Sequence, residues 1–142
     1  MNLVMPDVEL LVVDALRHYL GHDRVWVSPP EDWADQMPMV AVGWRGGAPN
    51  SRPERLQVND VELKAFGRSR KEATDLYRSM DMYMRQACLD HYTNKGKADP
   101  PGVMCHVTVI SPHGIEFEGL TAKHPDSALI EGVFRVTSAP LI

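Results

Sequence analysis

Four residues with soft, metal-binding side chains are the strongest chemical signal in this chain. Cys88 and His91 are three residues apart on one face of a predicted helix, and Cys105 and His106 are adjacent in the next predicted strand. Thiolates and imidazoles are preferred ligands of Zn²⁺, so this set could hold a structural zinc. Adjacent strand residues point to opposite sides, which keeps Cys105 and His106 from one centre. The favoured interpretation is that both thiols are buried as small hydrophobic side chains.

Two further motifs have the spacing of a known site but lack its remaining parts. His18 and His22 are four residues apart, as helical metal ligands are, but Gly21 between them is expected to end the helix. The glycine-rich residues 43–47 are not followed by the Gly-Lys-Ser/Thr of a phosphate loop. Neither motif predicts a metal or phosphate site.

Acidic residues offer the remaining candidates for catalysis. Glu116 and Glu118 flank Phe117 in a predicted strand and share its solvent side, which is typical of a solvated face. No nucleophile, base and orienting residue can be combined from the sequence. We therefore predict a protein that is not an enzyme and that has no cofactor, no metal and no catalytic residue. A small metal-binding or enzymatic domain using Cys88, His91 and Cys105 is the alternative from a different class.

Composition is that of one ordinary globular domain covering residues 1–142. The hydrophobic fraction is 44% and the charged fraction 24%, and the net charge of −4 disfavours a dedicated nucleic-acid binder. Two cysteines form no disulfide framework. No apolar run approaches the ~20 residues that span a bilayer, and the first residues lack the pattern of a signal peptide. A product made in the cytoplasm, with no membrane partner, is expected.

A strand followed directly by a long helix is the best-defined unit. Apolar residues alternate with polar ones from Val61 to Ala65, which predicts a strand with one buried face. Ser69 and Glu72 form a capping box, in which Glu72 is expected to reach back to the amide of Ser69. Apolar residues then recur at three- and four-residue steps as far as His91, which predicts one long helix.

The other segments predict an α+β fold with a mixed, mainly antiparallel sheet. An N-terminal helix from Pro6 to Gly21 comes first, and the remaining strands are expected at 24–28, 39–44, 55–66, 103–110, 115–120 and near 130–136. Both helices are expected to pack on this sheet of about five to six strands. A parity change predicts a bulge or bend near Asn59 and Asp60. Residues 111–114 predict a turn.

Several apolar residues fall where the periodic pattern requires polar ones. Met82 lies on the polar face of the long helix, and Phe66 has the parity of Glu62 and Lys64. Trp33 lies in a proline-bounded loop, and a second tryptophan opens the next loop. Aromatic residues, methionine and arginine are enriched at protein interfaces. We predict that at least two of these four apolar residues belong to an interface. With the arginine that begins the second loop, the candidate interface residues are Trp33, Trp44, Arg45, Phe66 and Met82.

The chain resembles the tail terminator, or tail completion, proteins of long-tailed bacteriophages, especially those of actinobacterial phages. The likeness rests on the opening helix at 5–13 (MPDVELLVV) and on the strand at 38–42 (PMVAV) with its glycine-rich tip. It also rests on residues 55–58 (RLQV) leading through 61–66 into 69–73 (SRKEA), and on the closing strand at 134–137 (FRVT). It extends over nearly the whole chain.

This resemblance implies a structural virion protein, assembled in the host cytoplasm and located at the neck-proximal end of the tail. It would form a ring, expected to be a hexamer, that ends tube polymerisation and provides a docking face for the head. Implied partners are further copies of the chain, the major tail tube protein, a head–tail connector or stopper, and the tape measure protein. Genomic DNA would pass nearby without specific binding.

Placement of residues within that ring is also expected. The loops at 29–38 and 45–53 would be axial contacts, and Glu116 and Glu118 would face the lumen. Phe66 and Met82 would be covered in the ring and exposed in a lone subunit. The alternative within the same class is another neck protein, such as a head–tail connector or stopper, and a monomeric ligand-binding module is a third possibility.

Overall fold

A five-stranded mixed sheet with two helices on one face forms the fold, as the α+β prediction required. The computed structural model describes residues 5–47 and 56–141, and at 112–118 it describes the backbone alone. In chain order the elements are α1 (Val8–Leu20), β1 (Val25–Trp26), a 3₁₀ turn (Trp33–Asp35), β2 (Met39–Gly47), β3 (Gln57–Gly67), α2 (Arg70–Leu89), β4 (Gly102–Glu118) and β5 (Ala128–Pro140).

Strand order in the sheet is β1-β2-β3-β5-β4. β1 runs parallel to β2, and the other neighbouring strands are antiparallel. The two edges are therefore unlike, with a two-residue strand on one side and a 17-residue strand on the other. Neither helix among the described residues is long and apolar enough to cross a membrane.

Local signals set the ends of both helices. Asp7 accepts a hydrogen bond from the amide of Leu10 at the start of α1, and Gly21 ends that helix in a left-handed conformation with φ 77°. Ser69 accepts from the amide of Glu72 at the start of α2. The carboxylate of Glu72 accepts from the amide of Arg68, not from that of Ser69, so the second half of the predicted capping box was wrong by one residue.

The core lies between the helices and one face of the sheet. Its fully buried side chains come from α1, α2 and the inward positions of the central strands, including Leu11, Leu16, Leu63, Met80, Met84, Met104 and Phe134. Removing this much apolar surface from water is the main stabilising contribution to such a fold. The opposite face of the sheet is covered by neither helix.

The long edge strand differs from the prediction. Residues 103–110 and 115–120 were expected to be two strands with a turn at 111–114, but β4 runs without interruption from Gly102 to Glu118. Its partner β5 is continuous. The residues expected to form a turn remain in β4, where the pairing with β5 shifts register on both sides of Ser111. An edge strand tolerates proline, because one side of its backbone needs no strand partner.

The predicted irregularity at Asn59 and Asp60 was placed on the wrong strand. β3 keeps a continuous register with β5 from Gln57 to Gly67, and Asn59 takes an inward, buried position. The bulge lies in β2 opposite this point, between Trp44 and Gly46. The sequence misled because a polar residue occupies an inward position and so imitates a change of parity.

Candidate functional site

The two loops expected as axial contacts lie at opposite ends of β2. Residues 29–38 precede Met39, whereas residues 45–53 begin within the last three residues of β2. A nine-residue strand spans about 30 Å, so residues 29–38 and the described start of the second loop, residues 45–47, belong to opposite ends of the domain. Residues 48–53 lie outside the described part of the chain. This separation allows the two loops to meet two different partners.

The first end of the domain is built around Trp33. Its ring packs against Phe66 with the ring centroids 5.5 Å apart, and both residues are partly buried. Lys123 Nζ lies 2.6 Å from Asp35 Oδ1, which connects the 3₁₀ turn to the residues between β4 and β5. The Lys123 ammonium lowers the pKa of Asp35 by hydrogen bonding and by charge. Two loops distant in sequence therefore form one surface.

The second end is built around Trp44, beside the start of α1. Its backbone amide donates to the carboxylate of Glu9 at 2.9 Å, and its indole Nε1 donates to Oδ1 of Asn59 at 2.8 Å. Asn59 is 6% exposed, and its Nδ2 has no hydrogen-bond partner among the described residues. A cavity of about 220 Å³ opens here, lined in part by Asp7, Gln57 and Asn59. The cavity therefore presents an unsatisfied donor next to two carboxylates.

Exposure separates the five predicted interface residues into two groups. Trp44 is 55% exposed and Met82 54% exposed, and Arg45 is also exposed. Trp33 and Phe66 are partly buried because they cover each other. Met82 thus has the exposure expected in a single subunit, whereas Phe66 is already partly buried by Trp33. The interface role of all five stays a prediction.

Ion pairs connect neighbouring strands on the sheet face that carries no helix. These pairs were not predicted from the sequence. Arg135 on β5 contacts both carboxylate oxygens of Asp60 on β3, at 2.9 and 3.3 Å. Lys64 lies 3.1 Å from Glu62, which Arg45 also contacts. Burial raises the pKa of Glu62, but hydrogen bonds from Lys64 and Arg45 outweigh that effect and hold it below its usual range. The charged residues Asp60, Glu62 and Lys64 at alternate positions of β3 were the signal for this face.

The two acidic residues expected to face the lumen fall in the last part of β4. Glu116 and Glu118 belong to that strand by their backbone, and their side chains lie outside the described residues. Their lumen-facing role stays a prediction.

The cysteine and histidine residues meet in a groove between the end of α2 and β4. Cys88, His91, Cys105 and His106 line this cavity of about 420 Å³. Cys105 and His106 were expected to face apart; both line this groove, and a register shift between Met104 and His106 interrupts the alternation of the strand there. Burial raises the pKa of Cys88 to about 11, and the neighbouring Cys105 adds to it. Protonated thiols are poor nucleophiles and poor metal ligands.

The second histidine pair is held apart by separate contacts. The ring of His18 packs edge-on against Tyr19, and Nδ1 of His22 accepts from the amide of Arg24 at 3.1 Å. Burial lowers the pKa of His22, and the nearby Arg24 adds to that shift. Across residues 5–47, 56–111 and 119–141, no group of three or more His, Cys, Asp and Glu side chains could hold a metal ion.

Exposed apolar and charged surfaces on a two-layer α+β domain are typical of a small protein that assembles with others. Its family follows from comparison with known proteins. A family described as phage tail termination protein matches residues 4–140, and the chain belongs to that family. It is a structural protein of the virion tail.

A solved structure shows the same fold at low sequence identity. A chain in the virion of a native gene transfer agent particle matches with a TM-score of 0.59 and 15% identity, over 93% of this chain and 94% of that one. At this identity the likeness concerns the fold alone. A comparison with curated protein sequences finds no match.

Proposed function

We propose that the protein closes into a ring, expected to be a hexamer, on the head-proximal end of the finished tail tube. There it stops addition of tube subunits and offers a docking face for the head. The family match over residues 4–140 carries this proposal. Its partners are further copies of the same chain, the tail tube protein, the head–tail connector or stopper, and the tape measure protein.

The unlike ends of the domain support a cap with two different faces. One end carries the Trp33–Phe66 pair and the Lys123–Asp35 contact, and the other carries Trp44. When copies are related by rotation about one axis, each end forms its own side of the ring. One side can then bind the tube while the other binds the head, and further tube subunits find no matching surface. The mechanism is surface complementarity, without a catalytic step.

A heterologous joint between subunits is required for such a ring. A joint of this kind brings together two different surfaces of the same chain and closes when its rotation is a simple fraction of a full turn. The sheet supplies unlike edges, since β1 has two residues and β4 has 17. Unpaired backbone groups along an exposed edge strand are natural sites for contact with another chain.

Imaging with purified tail tubes tests the proposal. The protein is added to tubes that lack a terminator, and negative-stain images are scored for a ring at one end. Native mass spectrometry of the released caps then gives the number of copies. A ring at one tube end, with tubes that no longer elongate, supports terminator function. Binding to portal-containing heads, with no binding to tubes, would identify a different neck protein, and persistent monomers bound to neither would contradict both.

A further inference from the structure

Two unlike surfaces of the chain carry complementary charge. The first, the α2 face, contains Arg78, Met82, Arg85 and Leu89, which recur at four-, three- and four-residue steps and therefore share one side of the helix. The second, the Trp44 face, contains Trp44 and, from the start of α1, Asp7 and Glu9, which line one cavity with it. Both faces contain large exposed apolar side chains, and Leu89 is the most exposed of these, at 75%.

The α2 face is basic and continues onto the long edge strand. Arg78 forms no ion pair with any described residue, whereas Arg85 lies 3.4 Å from Asp81. The groove beside Leu89 leads to β4, where the consecutive residues Val109 and Ile110 are 40% and 44% exposed. A register shift between Val109 and Ser111 falls at this point, and exposed apolar residues on an edge strand can be covered by another chain.

The Trp44 face is acidic and holds an unsatisfied donor. Neither Asp7 nor Glu9 is paired with a cation among the described residues, although both accept backbone hydrogen bonds. Trp44 Nε1 can only donate, so it fixes Oδ1 of Asn59 toward itself and leaves Nδ2 without a partner in the described part of the chain. A buried donor without a partner costs about 1–3 kcal/mol, so this end of β3 carries a local energetic penalty.

The two faces lie on different elements, one on α2 and the other on β2 and the start of α1. The edge strand β4, onto which the α2 face continues, is separated from β2 by β3 and β5, roughly 14 Å at the usual strand spacing. One chain thus carries a basic apolar face and an acidic apolar face on separate elements. We propose that the α2 face of one copy docks on the Trp44 face of the next copy. This inference rests on the proposed ring and names the surfaces that close it.

Charge exchange on tail tubes tests this joint. Leu89→Asp places an acid opposite Asp7 and Glu9, and Trp44→Lys places a base opposite Arg78 and Arg85. Each single variant is expected to reduce the fraction of capped tube ends about tenfold, as loss of an interface anchor does. The double variant places the introduced carboxylate of one copy against the introduced ammonium of the next, and capping is expected to return toward the wild-type fraction.

Val27→Asp is the matched control, because Val27 is 43% exposed and lies outside both faces. It should cap tubes as the wild type does. Circular dichroism and thermal unfolding of every variant confirm that the chain is folded. Single variants that still cap tubes would overturn the inference, as would a double variant that stays inactive although folded. A wild-type chain that caps no tubes would instead contradict the proposed function itself.

Discussion

The indole Nε1 of Trp44 lies 2.8 Å from Oδ1 of Asn59, and this hydrogen bond determines how the buried amide is oriented. Because the indole nitrogen only donates, the amide must present its oxygen to Trp44 and its nitrogen elsewhere. A tryptophan that is 55% exposed therefore controls a side chain that is 6% exposed. The pair connects the surface of β2 to the interior of β3.

Trp44→Phe should lower stability although the side chain lies at the surface. The variant leaves both polar groups of the Asn59 amide without a protein partner, which should reduce the free energy of unfolding by about 1 kcal/mol. Urea unfolding followed by far-ultraviolet circular dichroism measures this. Met82→Leu, a change at another exposed apolar residue, is the control and should stay close to wild type. Equal stability of Trp44→Phe and wild type would show that the bond contributes nothing.

Asn94→Ala should be strongly destabilising. Asn94 is 1% exposed; its Nδ2 donates to Asp14 at 3.2 Å, and its Oδ1 accepts from the amide of Gly102 at 2.8 Å. Alanine would leave a carboxylate and an amide buried without these partners, at a cost of about 3 kcal/mol. Lys95→Ala, a neighbouring exposed position, is the control. Urea midpoints that differ by less than experimental error would contradict this role for Asn94.

Gly132→Ala should destabilise the contact between β5 and α2. A Cβ built at Gly132 would clash with the hydroxyl oxygen of Tyr77 and lie 3.1 Å from its ring, so the buried Tyr77 side chain, or the helix that carries it, must shift. Overpacking of this kind costs about 2 kcal/mol. Gly43→Ala is the matched control, because a Cβ at Gly43 in β2 meets nothing within 4 Å. Thermal midpoints of the two variants compare them directly, and an unchanged midpoint for Gly132→Ala would show that α2 yields without cost.

The thiol of Cys88 should react slowly in the folded protein. Burial and the neighbouring Cys105 raise the pKa of Cys88 from 9.0 to about 11, so at pH 8 about one molecule in a thousand carries the thiolate. A Cys105→Ser variant isolates Cys88 for labelling with a chromogenic disulfide reagent. The rate should rise about tenfold per pH unit between pH 8 and pH 10, while the same variant in guanidinium reacts rapidly throughout.

The same shift predicts how stability depends on pH. A thiol whose pKa is higher in the folded state favours folding while it is protonated, so its contribution is complete below pH 9 and is lost as the pH rises toward about 11. Cys88→Ala should therefore flatten the loss of stability over this interval. A native labelling rate equal to that in guanidinium at pH 8 would contradict both expectations.

Local chemistry in the sequence was sufficient for the helices and for the fold class. Asp7, Gly21 and Ser69 act on backbone groups within a few residues, and alternation from Val61 to Ala65 follows from the geometry of a single strand. Such signals depend on neighbours in the chain, so they can be recognised without knowing what lies across the fold. The resemblance to tail terminators drew on these same segments and is confirmed by the family match.

Only the tertiary structure decided what depends on contacts between distant segments. Residues 111–114 have the composition of a turn, yet they belong to β4 because they pair with the continuous strand β5. Asn59 takes an inward position, where its side chain accepts a hydrogen bond from Trp44. Packing of Trp33 on Phe66 partly buries two of the five predicted interface residues. Each outcome depends on the free energy of a long-range contact, which a local pattern does not contain. The Trp44 face is another such outcome, because it combines β2 with the start of α1, which lies far away in the chain.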